Sequence, residues 1–343
     1  MNVAIVAIGA RTPVGARAAS TAAAVRCELR RVREHSFLVD AKDEPIPMGT
    51  DESLDPTRLG AVRLLVLARS ALREVLSAIS ADVTQGPRID VLLSLPEARP
   101  GFTDANARWV ARELPQGLLP GSIDFAASGH AGSLDALRDG ARRIEAGHSN
   151  VYIVVGADSY LAPDTIEWLD ASRRIAGKGK RDGFFPGEAA GCVALASPEL
   201  ARMSRWPILA YVRGAHSARE RTLIRSEEEV LGNGLAQAIL GATASLRLPA
   251  EAIDDIYCDL DGERYRTDEW GFALLRAGNA LRTVSYHQPA TSWGNVGAAA
   301  GTLGCVLAIR AWARKYANGP RALVWGSSEG GLRSAVVLED GAS

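Results

Sequence analysis

The sequence predicts a layered α/β protein made of two related halves, and three observations carry that prediction. Short runs suited to buried strands (within VAIVAIGARTPVG, IDVLLSLPE, VYIVVGADS, GEAAGCVALA and WGSSEGGLRSAVVLED) alternate with stretches whose apolar residues fall three to four apart, as packed strands and helices require. A helix, a short connection and a strand opening on Ile-Asp occur twice: GAVRLLVLARSALREVLSAI before IDVLLSLPE, and NGLAQAILGATASLRL before IDDIYCDLDGE. Each half then closes in strands around glycine, at GEAAGCVALA and at LVWGSSEGGLRSAVVLE. We expect pseudo-twofold halves, residues 1–204 and 205–343, with the boundary near Ser204 to Pro207.

In chain order, Val3 to Gly15 reads as a strand running into a Pro-Gly turn. The segment AKDEPIPMGTDESLDP carries Pro45, Pro47 and Pro56 among five acidic residues and is expected to be an irregular exposed loop. The next helix is apolar over much of its circumference, through Leu64, Leu65, Leu67, Ala68, Leu72, Val75 and Leu76, as for a helix packed between layers. Ile123 and Phe125 begin a short strand that passes into the small residues Ala126 to Gly132. Leu134, Leu137, Ala141 and Ile144 then mark a helix closed by Gly147, and Val151 to Val155 a buried strand.

The 343 residues, 47% hydrophobic and 23% charged, suffice for a large core. A net charge of −1 argues against a nucleic-acid surface or a polybasic membrane patch. No apolar run approaches the ~20 residues that span a bilayer, and the N-terminus enters a strand with no charged and apolar leader, so a cytoplasmic protein is the plain reading. Cys27, Cys192, Cys258 and Cys305 are scattered without a CxxC pair, which indicates neither a zinc site nor a disulfide framework.

The segment IDFAASGHAGSLDALRDGARRIEAGHSNVYIVVGADS, together with RDGFFPGEAAG, resembles the nucleophile elbow and following strands of β-ketoacyl synthases, which have the thiolase fold. VAIVAIGARTPVG, GNVGAAAG and WGSSEGGLRSAVVLED resemble the opening strand, the Gly-His-x-x-Gly-Ala-Ala-Gly segment and the closing glycine-rich turn of the same family, in the same order. The resemblance implies a layered α/β/α/β/α domain, no cofactor, and pairing of the strand before the elbow, around Ser122 to Ala127, in a homodimer or in a heterodimer with a ketosynthase-like subunit. It also implies an acyl-carrier protein or acyl-CoA as a partner. The stretch between Phe102 and Ser122 is short for the family, which implies a shallow acyl tunnel.

The same resemblance marks what is missing. Counting back without gaps from Gly147 and Val151, the family's cysteine falls on His130. The first histidine of the family falls on Asp259, the second on Asn295, and the gating phenylalanine on Glu329. Asparagine occupies that second position in the initiating, Cys-His-Asn branch of the family. A condensing enzyme needs a thiolate at a helix N-terminus to hold the acyl group and two polar partners for decarboxylation and enolate stabilisation.

The candidate site residues are therefore His130, Asp259, Asn295 and Ser128. His130 is read as a drifted residue in a dead site, a ligand contact in a retained pocket, or an acid/base group that Asp259 orients or whose pKa it raises. Ser128, two residues earlier, is a nucleophile only if the elbow is shifted, with His130 as its base. His287 is a further possible partner or a plain loop residue, and Asn295 a turn residue or a donor. DLDGERYRTDEWGF is expected to be a solvated loop laced with salt bridges, or else a polar pocket rim; its carboxylates lack the ligand order of a calcium loop. Lys178 and Lys180 are candidates for contacting an acidic carrier or a phosphopantetheine phosphate.

Two classes of function follow. One is a non-condensing homologue, a pseudoenzyme serving as scaffold or partner subunit, with an accessory role beside a secretion system as one variant. The other is an acyltransferase or thioesterase acting on acyl-CoA or acyl-carrier thioesters through a rebuilt site.

Overall fold

The computed structural model describes residues 1–79, 88–119, 123–177, 182–224, 226 and 228–342. The first half comprises β1 (Val3–Arg11), α1 (Ala18–Arg26), β2 (Val32–Val39), β3 (Pro45–Gly49), α2 (Gly60–Ile79), β4 (Ile89–Leu95), α3 (Asp104–Glu113), β5 (Asp124–Ala127), α4 (Gly132–Glu145), β6 (Val151–Ser159), α5 (Pro163–Ala171), β7 (Glu188–Ala196) and α6 (Pro198–Met203). β8 (Ala210–Arg219), α7 (Asn233–Thr243), β9 (Asp255–Cys258), α8 (Arg264–Ala277), α9 (Ala290–Trp293), α10 (Ala300–Ala313), β10 (Arg321–Ser327) and β11 (Leu332–Asp340) follow.

The strands order as β5-β4-β6-β7-β1-β8-β11-β10-β9, and β2 and β3 form a separate hairpin. Pairing is parallel at both ends, β5-β4-β6 and β10-β9, and antiparallel through the middle. The β1–β8 pairing spans only Val3 to Ile5 against Ala210 to Val212. On either side of that short join lie the two halves of the sheet.

Helices cover both faces of each half, which is why the strands are apolar without a polar face. α4 and α10 form the central layer. Leu134, Leu137, Leu303 and Val306 share one core with Val154 and Val193 of one half-sheet and Val324 and Val336 of the other. Alternate residues point outward. Ile153 and Val155 pack under α2 and α3, and Val337 and Leu323 pack under α7 and α8. The result is the α/β/α/β/α stack.

Glycine lets the central layer approach the sheet. A Cβ on Gly156 of β6 would lie 2.6 Å from the Ala298 carbonyl oxygen, so any larger residue there would push the start of α10 off the strand. This close approach sets the turn before α10 against β6, where the site is built.

Three expectations are corrected. α2 lies in the outer layer, with Val62 45% exposed, and the interlayer helices are α4 and α10. Within residues 41–56, β3 pairs with β2 and buries Ile46 and Met48, which pack on Tyr160, Ile166 and Phe184. DLDGERYRTDEWGF is a loop of five residues leading into α8, and its charged side chains at 259, 261, 263, 266 and 269 are buried.

Candidate functional site

Three turns converge at the N-terminus of α4: Ser128 to Ala131 after β5, Asp259 to Glu263 after β9, and Gly294 to Gly297 before α10. Gly129, Gly294 and Gly297 have positive φ (67°, 79° and 45°), the conformation that side chains with a Cβ rarely adopt and that these tight turns require. His130 and Asn295 are thereby brought together. His130 Nε2 lies 3.0 Å from Asn295 Oδ1, with His130 4% exposed and Asn295 4% exposed.

The hydrogen bonds fix the tautomer. Asn295 Oδ1 also accepts from the Gly297 backbone N–H at 2.8 Å, and its Nδ2 donates to Asp261 Oδ2 at 2.6 Å. The amide is thus oriented with its oxygen toward His130, and that oxygen can only accept. Nε2 therefore carries the proton and Nδ1 keeps the lone pair. Arg266 Nη2, 3.4 Å from the same Nε2, then faces an N–H rather than an acceptor. Burial and this guanidinium both push the His130 pKa well below its ordinary value, outweighing the Asn295 bond. The imidazole is neutral.

Asp259 does not reach His130, because Arg266 stands between them. Arg266 is fully buried; Nη1 binds Asp259 Oδ2 at 3.1 Å and the Ser327 carbonyl at 2.8 Å, and Nε lies 3.4 Å from Asp261 and 3.6 Å from Glu263. The expectation that Asp259 orients His130 and raises its pKa is corrected in both respects. Burial pushes the carboxyls of Asp259 and Asp261 up, against the pull of Arg266. Burial also pushes Glu263 up, against Arg174, which holds it by two bonds of 2.7 and 2.8 Å.

The remaining candidates are placed as follows. Ser128 does not bond to the His130 ring; its backbone carbonyl accepts from Ser328 Oγ at 2.6 Å, and that same Oγ accepts the Ala131 N–H at 2.9 Å. The amide beside His130 at the helix start is thus already satisfied. His287 lies elsewhere, stacked on Tyr257 at 4.5 Å with Nε2 3.4 Å from Asp255. Glu329 accepts from Arg174 at 2.8 Å. Lys178 and Lys180 lie outside the described residues.

His130 separates two spaces. Outward is a cavity of about 500 Å³ lined by Glu97, Arg99, Asp158, Tyr160, Trp168 and Glu329 among others. Inward is a void of about 20 Å³ bounded by Cys258, Asp259, Trp293 and Asn295, room for about one water. The one thiol there is inert: Cys258 Sγ donates to the His287 carbonyl at 3.4 Å and burial pushes its pKa far up. Burial likewise raises Cys192 and lifts Cys305 to about 12.

Sequence reasoning placed Arg266 among the salt bridges of a solvated loop rather than in the site, and missed Arg99, Arg174, Glu97 and Tyr160. Arg266 was visible as the one basic residue spaced i, i+3 from Glu263 on a helix start, a spacing at which ion pairs form. Arg99 and Glu97, in the loop after β4, carry no local signal; they meet Asp158 and Gly330 only through the tertiary fold.

A central helix pair between two half-sheets, with the site at the start of α4, is the arrangement of the thiolase fold, and solved ketosynthase structures share it. The chain is similar to the structure of a type II PKS acyl-carrier protein in complex with its ketosynthase bound to the hexaketide (AntDE:AntF), at a TM-score of 0.82 and 15% identity over 99% of each chain. It is similar to the ishigamide ketosynthase/chain length factor at 0.73 and 20%, again over 99% of each chain. It also matches the ketosynthase from module 6 of the bacillaene synthase of Bacillus subtilis 168 at 0.80 and 14%, over 99% of this chain and 72% of the other. No family model and no curated protein matches the sequence.

Among the described residues, no helix is long and apolar enough to cross a membrane, and no group of three or more His, Cys, Asp or Glu side chains is arranged to hold a metal ion.

Proposed function

We propose that this is a non-condensing ketosynthase-fold subunit, serving as a scaffold or as the partner of a ketosynthase-like chain. The observation that carries the reading is His130 as a plug. A neutral imidazole, tied by Nε2–H to Asn295, fills the elbow, and behind it only about 20 Å³ is open. An acyl-enzyme needs a thiolate and a tunnel for its chain, and this position offers a nitrogen base over a closed floor. The similarity to a ketosynthase/chain length factor and to a ketosynthase held with an acyl-carrier protein supports pairing and carrier contact as the mode of action.

The pairing surface is the free edge of β5. Among the described residues that strand is hydrogen-bonded only to β4, and Phe125 on it is 39% exposed. An unpaired edge bearing an aromatic is a template for a second strand. Phe125→Asp is expected to convert a dimer into a monomer in sedimentation velocity, without loss of secondary structure. A wild-type protein that sediments as a monomer, both alone and when co-expressed with a ketosynthase-like subunit, contradicts the pairing.

The enzyme reading rests on His130 Nδ1, whose lone pair has no hydrogen-bond partner among the described residues. It would serve as a general base in thioester hydrolysis or acyl transfer.

A further inference from the structure

The outer cavity is ringed by acidic groups, and one of them is unpaired. Arg99 is committed to Asp158 at 2.6 Å and lies over the Tyr160 ring at 4.0 Å. Arg174 is committed to Glu263 and Glu329. Glu97, by contrast, forms no ion pair among the described residues. It accepts from the Gly330 N–H at 2.9 Å, and burial together with Glu329 raises its pKa. Among the described residues that line the cavity, the carboxylates are Glu97, Asp158 and Glu329 and the one guanidinium is Arg99. Among the described lining residues, carboxylates outnumber guanidiniums.

A second feature points into the same space. Tyr160 is 3% exposed and lines the cavity, yet its hydroxyl has no hydrogen-bond partner among the described residues. Buried phenols ordinarily find one. The remaining wall is apolar, with Pro96, Pro100, Leu223 and Ile224. At about 500 Å³ the cavity is of small-ligand size.

We infer that the outer cavity binds a primary ammonium group on an apolar stem, with the cation on Glu97, the Tyr160 hydroxyl as a second acceptor, and the stem against Pro96, Leu223 and Ile224. An anionic ligand would meet Glu97 and Glu329 at the mouth, and the guanidinium nitrogens that lack a hydrogen bond, Arg99 Nε and Arg174 Nη1, are themselves buried from solvent. A neutral one would leave the Glu97 charge unmatched. The inference goes beyond the non-condensing reading and does not depend on it, because binding is read on the protein alone.

The test is calorimetric titration of the wild-type protein with hexylammonium, hexanoate and hexanol, with Nα-acetyl-lysine N-methylamide as a parallel arm. Saturable binding of at least one of the two ammonium compounds is expected, with hexanoate and hexanol at least about tenfold weaker. Glu97→Gln should weaken the ammonium by at least about tenfold, the loss of one charge-assisted hydrogen bond. The thermal midpoint of Glu97→Gln should be unchanged or higher, since a partly buried unpaired carboxylate is removed. Tyr160→Phe should weaken binding by less. Preference for the lysine derivative would identify a docked lysine side chain as the source, and preference for hexylammonium a free amine. The inference is overturned if neither ammonium binds saturably, if hexanoate binds as tightly, or if Glu97→Gln leaves affinity unchanged.

Discussion

Arg266→Ala is expected to cost about 3–5 kcal/mol of folding stability, the scale set by removing one partner of a buried ion pair. The guanidinium is 0% exposed and is shared by Asp259, Asp261 and Glu263, while also closing the Ser327 carbonyl. Its removal leaves Asp259 with the Ser327 N–H at 2.8 Å and, among the described residues, no cation in contact. Part of the penalty will be relieved by protonation, because the carboxyls nearby already have raised pKa values, so the loss should shrink toward acid pH. Chemical denaturation at several pH values measures it. A loss under about 1 kcal/mol at neutral pH would mean that Arg266 is a surface-like pair and that the description of a buried network is wrong.

The second large effect is a pH dependence. His130 has a folded-state pKa depressed well below the ordinary 6.5, mainly by burial and then by Arg266. Below 6.5 the unfolded chain takes up a proton that the folded protein refuses. The stability this group contributes is therefore complete above 6.5 and is lost as pH falls from 6.5 toward the depressed value, by up to about 1.4 kcal/mol per pH unit. The buried carboxyls with raised values act in the opposite sense, gaining relative stability in acid. Comparison with His130→Gln isolates the histidine, since glutamine keeps a side-chain N–H for Asn295. Wild type should lose stability relative to His130→Gln as pH is lowered below 6.5. Parallel curves would show that His130 is free to protonate where it stands.

Much of the fold was legible because the signals are local. The strand runs and the three-to-four spacing of Leu134, Leu137, Ala141 and Ile144 give β6 and α4 directly, and the repeated Ile-Asp opens β4 at Ile89 but precedes β9, which begins at Asp255. Layer assignment was not, since apolarity around α2 reports how much surface it buries and not on which side of the sheet it lies. In PIPMG the prolines drew the reading toward a loop, whereas Ile46 and Met48, two apart, share the buried face of β3.

The site divides the same way. Counting along the elbow and the glycine turns located His130 and Asn295, which the fold brings to 3.0 Å. The partner of Asp259 was not deducible, because the Asp259–Arg266 bond forms only when the loop after β9 turns into α8 and carries both side chains inward. A run as polar as DLDGERYR reads as solvated by composition alone. Its burial depends on Arg174, Asn295 and Ser327, contributed by three distant segments.

The central claim is that His130 plugs the elbow without rebuilding thioester chemistry. Intact-mass spectrometry of the purified protein after incubation with acyl-CoA and acyl-carrier thioesters, with hydrolysis followed in the same tubes, tests it most directly. We predict neither a covalent acyl adduct nor thioester turnover above the uncatalysed rate. Turnover that His130→Ala abolishes would contradict the account and establish an active site with Nδ1 as its base.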